Sequence, residues 1–427
     1  MLGIFLGLAL IMILAYRGWS IIWMAPICAG IVAIFGGLDL LETYTGPYME
    51  GFVNFAKTWF PVFMLGAIFG KLMEFTGMAR SVAIGITKLI GPKQAILGVV
   101  IASAVLTYGG VSVFVAIFAI YPLALSLFRE ANLPRRLIPA TFGLGAFTFT
   151  MTALPGAPQI QNLIPMEYFN TTAAAAPIMG LSAAVFMFGL GFSYLKWREK
   201  KLVQAGETYT PPKDEVKVEN DGKDPHVLVS LLPLAVVVFT LNILQWDIII
   251  SLITGIVLIL LFNLKKAKGF IPAMNSGAVG SVTAIINTCA AVGFGTVVQA
   301  VPAFERLANS LLSMQGNPLI SLSVSTNVIA GATGSASGGL GITLDALGAR
   351  YYELAHAIGM SPEAFHRIAS IASGGLDALP HNGALLTLLA VTSMTHKECY
   401  KDIAVIAIAI PILSLIPAIV LASIGIY

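Results

Sequence analysis

Asp377 and His381 stand four residues apart in the stretch Ile371-Ala372-Ser373-Gly374-Gly375-Leu376-Asp377-Ala378-Leu379-Pro380-His381-Asn382-Gly383. Together an Asp and a His can bind and release protons near neutral pH, or help to hold a cation. The surrounding segment, 368–395, is long enough to cross a membrane and carries no Lys or Arg between Arg367 and Lys397. Its middle makes a poor helix. Gly374, Gly375 and Gly383 loosen it, and Pro380 removes a donor and clashes with the preceding turn. Backbone groups freed inside a bilayer must find partners, so such a break survives only where protein buries it or a cavity wets it. Ionisable groups at such a place mark a substrate or ion pathway. A second reading stays open: Asp377 caps the half-helix that follows, and His381 bonds to a carbonyl.

Three more stretches share this character. Thr107-Tyr108-Gly109-Gly110-Val111-Ser112 interrupts the uncharged run 94–128, and Ala332-Thr333-Gly334-Ser335-Ala336-Ser337-Gly338-Gly339 interrupts 318–347. Thr152-Ala153-Leu154-Pro155-Gly156-Ala157-Pro158 breaks 137–166. The candidate anion site draws Thr107, Tyr108, Gly109, Gly110 and Ser112 from one turn, and Thr333, Gly334, Ser335 and Ser337 from the other. The breaks add Thr152, Pro155, Gly156, Gln159 and Asn382. Gly-rich turns and helix N-termini hold anions without a basic side chain, and these four segments contain no internal Lys or Arg. The same small residues would equally let helices pack closely. Gln161-Asn162 follow the first break and offer hydrogen bonds to hydroxyls, Asn327 offers one across the arms of its hairpin, and Asp345 near a hairpin end reads as structural.

The elements that position these groups follow from composition. Hydrophobic residues make up 57% of the 427 and charged residues 11%, with a mean hydropathy of +0.87. A soluble domain has roughly a quarter of its residues charged, so this is an all-α polytopic membrane protein. Cys28, Cys289 and Cys399 lie far apart without metal-ligand spacing, and no metal is expected. The net charge of +3 gives no sign of nucleic-acid binding. Residues 1–16 lack a basic leader and read as a first span. Further spans are expected at about 19–37, 58–76, 173–195, 227–243, 247–264, 279–303 and 402–425. Asp39, Glu42 and Glu50 fall in a loop, and a short amphipathic piece bearing Arg80, Lys88 and Lys93 lies along the interface.

Charge placement orients the map. If 94–128 and 318–347 are re-entrant hairpins, both termini lie outside a bacterial-type inner membrane. Only Lys57, Arg306, Arg350 and Arg367 of the 24 Lys and Arg then fall outside. The chain divides into 1–195, a polar cytoplasmic linker 196–226, and 227–427. Each half holds five spans, one of them a broken helix, and one re-entrant hairpin, with the halves inverted. Ala153-Leu154-Pro155 matches Ala378-Leu379-Pro380, and Gly109-Gly110 matches Gly338-Gly339 at the hairpin tips. Inverted repeats with discontinuous helices point to a secondary transporter with its site near the midplane.

On Leu106-Thr107-Tyr108-Gly109-Gly110-Val111-Ser112, Ala153-Leu154-Pro155-Gly156-Ala157-Pro158-Gln159, Gly334-Ser335-Ala336-Ser337 and Leu376-Asp377-Ala378-Leu379-Pro380-His381-Asn382-Gly383, the chain resembles the gluconate permease family of the ion transporter superfamily. With Thr395-His396-Lys397-Glu398-Cys399-Tyr400-Lys401-Asp402, it looks most like the β-hydroxybutyrate permease-like branch. That resemblance implies an elevator-type fold, a homodimer, and symport of a small organic acid anion with a co-transported proton, or with sodium as elsewhere in the superfamily. A hydroxy- or keto-monocarboxylate such as 3-hydroxybutyrate is the expected substrate, and gluconate or another sugar acid the alternative. No cofactor is expected. An intramembrane aspartyl protease would need two facing carboxylates, and these broken segments supply Asp377 alone. A channel fits symmetric hairpins and broken helices less well than alternating access does.

Overall fold

Proline and glycine set where the helices stop. The computed structural model describes residues 2–17, 19–91, 94–111, 113–212, 225–304, 306, 317–380 and 382–427. In the first half the helices are α1 (Leu2–Tyr16), α2 (Ile21–Gly36), α3 (Leu40–Phe75), α4 (Met78–Ile90), α5 (Ala95–Tyr108), α6 (Val113–Glu130), α7 (Ile138–Ala146), α8 (Ile160–Phe169) and α9 (Pro177–Gln204). The second half supplies α10 (Val227–Asn242), α11 (Ile248–Phe262), α12 (Leu264–Ala300), α13 (Pro318–Thr333) and α14 (Ala336–Ala357). It continues with α15 (Pro362–Ser373), α16 (Gly383–Thr392) and α17 (His396–Ser423). The described residues contain no strand. Four of these helices, α3, α9, α12 and α17, are long and apolar enough to cross a bilayer by themselves.

Several boundaries differ from the sequence expectation. Asp39 starts a helix where a loop was expected: its carboxylate accepts the N–H of Glu42 at 2.9 Å, so Glu42 and Glu50 are helical. The start of α3 contains a π turn, Tyr44–Tyr48, where Pro47 interrupts the ordinary bonding ladder. Helix α9 runs to Gln204, past the linker boundary expected at 196, because Lys and Glu are good helix formers with long stems. α12 starts well before 279. The second hairpin turns at Gly334–Ser335, where Gly334 takes φ +61°, and Gly338 and Gly339 lie inside α14. The counterpart of Gly110, with φ +97°, is therefore Gly334 rather than Gly338-Gly339.

The packing follows a regular exchange. Helices α3 and α12 share the most extensive contact; α2 packs on α12 and α11 on α3. In each half the first hairpin arm lies against the first half of its own broken helix, α5 on α7 and α13 on α15. The second arms cross over: α6 packs on α16, and α14 on α8. Helices α9 and α17 close the bundle against each other, joined by Arg198, whose guanidinium donates to both carboxylate oxygens of buried Asp402. Helix α4 buries Met78, Ala79 and Val82 and leaves Lys88 exposed.

Candidate functional site

The two breaks touch. Residues 149–153 form a π turn, 376–378 a 3-10 turn, and each ends on an extended leucine before a proline. Leu154 has ψ 125° and Leu379 ψ 159°, as a following proline demands. Ser370 donates its hydroxyl to the Thr152 carbonyl at 2.7 Å, and Gly374 sits against the Thr152 side chain, so the helices break at their crossing. The turn bearing Asp377 packs against α13 and against a further π turn in α17, Val405–Ala409. Such turns open the bonding ladder and recur at functional sites. Asp377 is 6% exposed, and among the described residues no basic side chain pairs with it.

Each hairpin turn is tied to its own break. Tyr108 donates its hydroxyl to the Pro155 carbonyl at 3.0 Å, and the Gln159 amide donates to the Thr107 carbonyl. In the second half Asn382 donates to the Gly334 carbonyl at 3.1 Å and caps α16 by accepting the N–H of Leu385 at 2.7 Å. Thr107 is fully buried and its hydroxyl has no partner among the described residues. Ser335 caps α14 through the N–H of Gly338 at 3.1 Å, with Ser337 alongside at 3.4 Å. Asn327 reaches the second break rather than the opposite hairpin arm, accepting the N–H of Leu376 at 3.2 Å. His396 and Tyr400 hold that break from its other side, at the carbonyls of Pro380 and Ala378. Ser112 and His381 lie outside the described residues, as does the Thr333 side chain.

Gly109 and Gly156 play parts other than amide donation to a ligand. The Gly109 N–H is already bonded to the Val105 carbonyl, and a Cβ there would meet Leu234 of α10 at 2.6 Å. Gly156 (φ +79°) donates its N–H to the Ala173 carbonyl, and its own carbonyl accepts from the Asn242 amide. Gly109→Val should therefore force α5 away from α10. We expect loss of transport with the protein still folded in the membrane, as read by uptake against surface-normalised expression; full uptake would show that the contact is dispensable.

A buried polar cluster escaped the sequence reading. Arg367 lies inside α15 and is fully buried, not in an outer loop, so one broken helix does carry a cation. Its guanidinium donates to the carbonyls of Ala173 and Ala175 and, at 2.8 Å, to Asn162 Oδ1. Asn162 in turn donates to the carbonyls of Ala157 and Ala173, and His366 lies between it and Thr171. Asn162 is thereby committed to structure rather than to a ligand hydroxyl. A Cβ on Gly180 would meet both Arg367 Nε and Pro155, which places this charge beside the first break. The available signal was the pair His366-Arg367 at the head of an apolar run.

A cavity of about 870 Å³ adjoins the first hairpin turn and break at Tyr108, Gly109, Pro155 and Gly156. Its remaining walls are mostly apolar side chains of α5, α10, the first break and the start of α9, with Thr150 and Asn242 the polar exceptions, and among the described residues none of the second break lines it.

Long apolar helices enclosing two crossed, interrupted helices with buried ionisable groups define a helical membrane transporter. Residues 1–245 match the family described as GntP family permease. The chain is 42% identical, over an alignment of 443 residues covering 94% of each, to the uncharacterized transporter YxjC of Bacillus subtilis strain 168. It belongs to the GntP permease family, a family of transporters and not of enzymes. An uncharacterized transporter of Haemophilus influenzae is 27% identical over 173 residues, 40% of this chain and 39% of its own. In fold the chain is similar to the YdaH transporter of Alcanivorax borkumensis, with TM-score 0.54, 16% identity and 90% and 88% of the two chains covered. MtrF of Neisseria gonorrhoeae gives TM-score 0.53 at 13% identity over 91% and 85%. The family read from the motifs is borne out.

Proposed function

We propose that the chain is a secondary transporter that moves a small hydroxy- or keto-monocarboxylate together with a cation, by preference a proton. The crossing of the two breaks carries this reading: Asp377 is buried there with no basic side chain paired to it among the described residues, and the first break lies beside the buried Arg367 charge and the Thr107 hairpin turn. A bound carboxylate gains from the Arg367 field, since a positive charge in a low-dielectric site acts over several ångströms. Asp377 is the group that takes the coupled proton. Sodium held by carbonyls and hydroxyls at the hairpin turns is the second reading, in keeping with the paired Ser335 and Ser337 hydroxyls at the second turn.

The packing supports two inverted repeats. The four long apolar helices occupy equivalent places, α3 with α12 and α9 with α17, and both the hairpin-to-break contacts and their crossover are reciprocal. In this reading hairpins and broken helices move as a unit against the α3–α12 pair, in a homodimer. Both termini lie outside, and the segment around Thr210 is cytoplasmic. A cysteine at exposed Thr210 should then be shielded from impermeant reagents in intact cells, and one at exposed His356 labelled. The native cysteines are buried and leave the readout clean. Labelling at Thr210 without labelling at His356 would invert the map.

The purified transporter tests the substrate class. Racemic 3-hydroxybutyrate should raise its unfolding temperature in a saturable way, and gluconate at equal concentration should not. Stabilisation by gluconate alone would transfer the function to sugar acids.

A further inference from the structure

We propose that the large cavity is a lipid site: one acyl chain of a bilayer glycerophospholipid lies in it, between α10 and the first arm of the first hairpin. The proposal rests on membrane embedding, not on the substrate. Two helical stripes face each other across the gap, Ala104, Val105 and Tyr108 on α5 and Leu234, Ala235 and Val238 on α10. The walls recede at the two alanines, so the gap is a property of these residues, and a larger side chain would close it.

Water is a poor occupant. At roughly 30 Å³ per molecule, 870 Å³ corresponds to on the order of thirty waters, each needing two to four polar partners. The polar groups at the walls are mostly committed. Tyr108 bonds to Pro155, Thr150 to the Gly145 carbonyl, and the Asn242 amide nitrogen to the carbonyls of Gly156 and Val238. With both of those partners acceptors, the Asn242 amide can point only one way, and its Oδ1 is left without a donor among the described residues. The cavity also continues onto the bilayer-facing surface. Its rim residues Phe239 and Ile243 are 50% and 68% exposed, in line with Leu228 and Leu232 on the same helix. An acyl chain entering over that rim meets mostly carbon and restores the dispersion contacts that an empty gap forfeits.

The full chain, reconstituted in vesicles of phosphatidylcholine that carries a photoactivatable diazirine in one acyl chain, provides the test. Illumination should label Ala104, Val105, Leu234, Ala235 and Val238, detected by peptide mass spectrometry. Labelling there should fall several-fold in Ala104→Phe and in Ala235→Phe, two variants on opposite walls, while Leu228 and Val229 stay labelled. A cysteine at Ala235 should resist water-soluble thiol reagents. Absence of label from these stripes in the unsubstituted protein, labelling unchanged by both variants, or rapid reaction of that cysteine would each overturn the proposal. Failure of 3-hydroxybutyrate to bind would leave it standing.

Discussion

Asp377→Asn is expected to abolish uphill accumulation driven by a proton gradient while leaving exchange of substrate across the membrane intact. The reasoning is electrostatic. Moving an anion into a negative-inside compartment costs about 2.3 kcal/mol per charge per 100 mV, a penalty that one co-transported proton cancels. The proton needs a carrier at the substrate site. Asp377 is enclosed by the second break, without a cationic partner among the described residues, and the first break has no acid of its own. Asparagine keeps the shape and the capping capacity but carries no proton. Exchange needs no net proton movement and so survives. Counterflow and gradient-driven uptake, measured on the same proteoliposomes, separate the two. Normal accumulation by Asp377→Asn under a pH gradient alone would reduce Asp377 to a helix cap and pass coupling to sodium. His381→Gln is expected to shift the pH profile only.

The second large effect is expected at Arg367. Arg367→Met removes four hydrogen bonds from a fully buried guanidinium. Two opposing terms decide its size. The Ala173 carbonyl keeps donors from Gly156 and Asn162, and burial of a guanidinium is itself costly, so apolar replacement recovers something. The Ala175 carbonyl loses its side-chain donors, and each charge-assisted bond is worth about 1.5–3 kcal/mol. The net expectation is a loss of about 2–3 kcal/mol of stability. The charge is the separate matter. At ~8 Å and an effective dielectric near 20 it is worth on the order of 2 kcal/mol to a bound carboxylate, or more than tenfold in affinity. Arg367→Lys should therefore lose comparable stability but retain much of the anion affinity, whereas Arg367→Met should lose both. Equal affinities in the two variants would mean that Arg367 only holds the 173–175 segment in place.

How far these features were legible in the sequence depended on the physics behind each. The breaks were readable because Pro155, Pro380 and neighbouring glycines act locally, through a missing donor and lost helix propensity. The hairpin turn at Gly110 was readable for the same reason. The turn at Gly334 was displaced onto Gly338-Gly339, because a Gly pair inside a helix looks the same in sequence whether it bends the chain or admits a neighbour. Here Gly339 lets α13 approach α14 at Ala330. The extension of α3 back to Asp39 was hidden by Glu42 and Glu50, whose charge suggests a loop although Glu is a good helix former. Arg367 was misassigned because its acceptors, the carbonyls of Ala173 and Ala175, lie far away in sequence and carry no side-chain signature. Tertiary hydrogen bonds to backbone leave no pattern to read.

Concentration of a short carboxylate by a cation gradient is the central expectation for this transporter. Radiolabelled 3-hydroxybutyrate should accumulate in proteoliposomes of the unsubstituted protein above its external concentration when the interior is made alkaline at clamped zero potential and without sodium, and unlabelled 3-hydroxybutyrate should chase it out. Uptake no greater than that of protein-free liposomes under both pH and sodium gradients would rule out cation-coupled transport of 3-hydroxybutyrate.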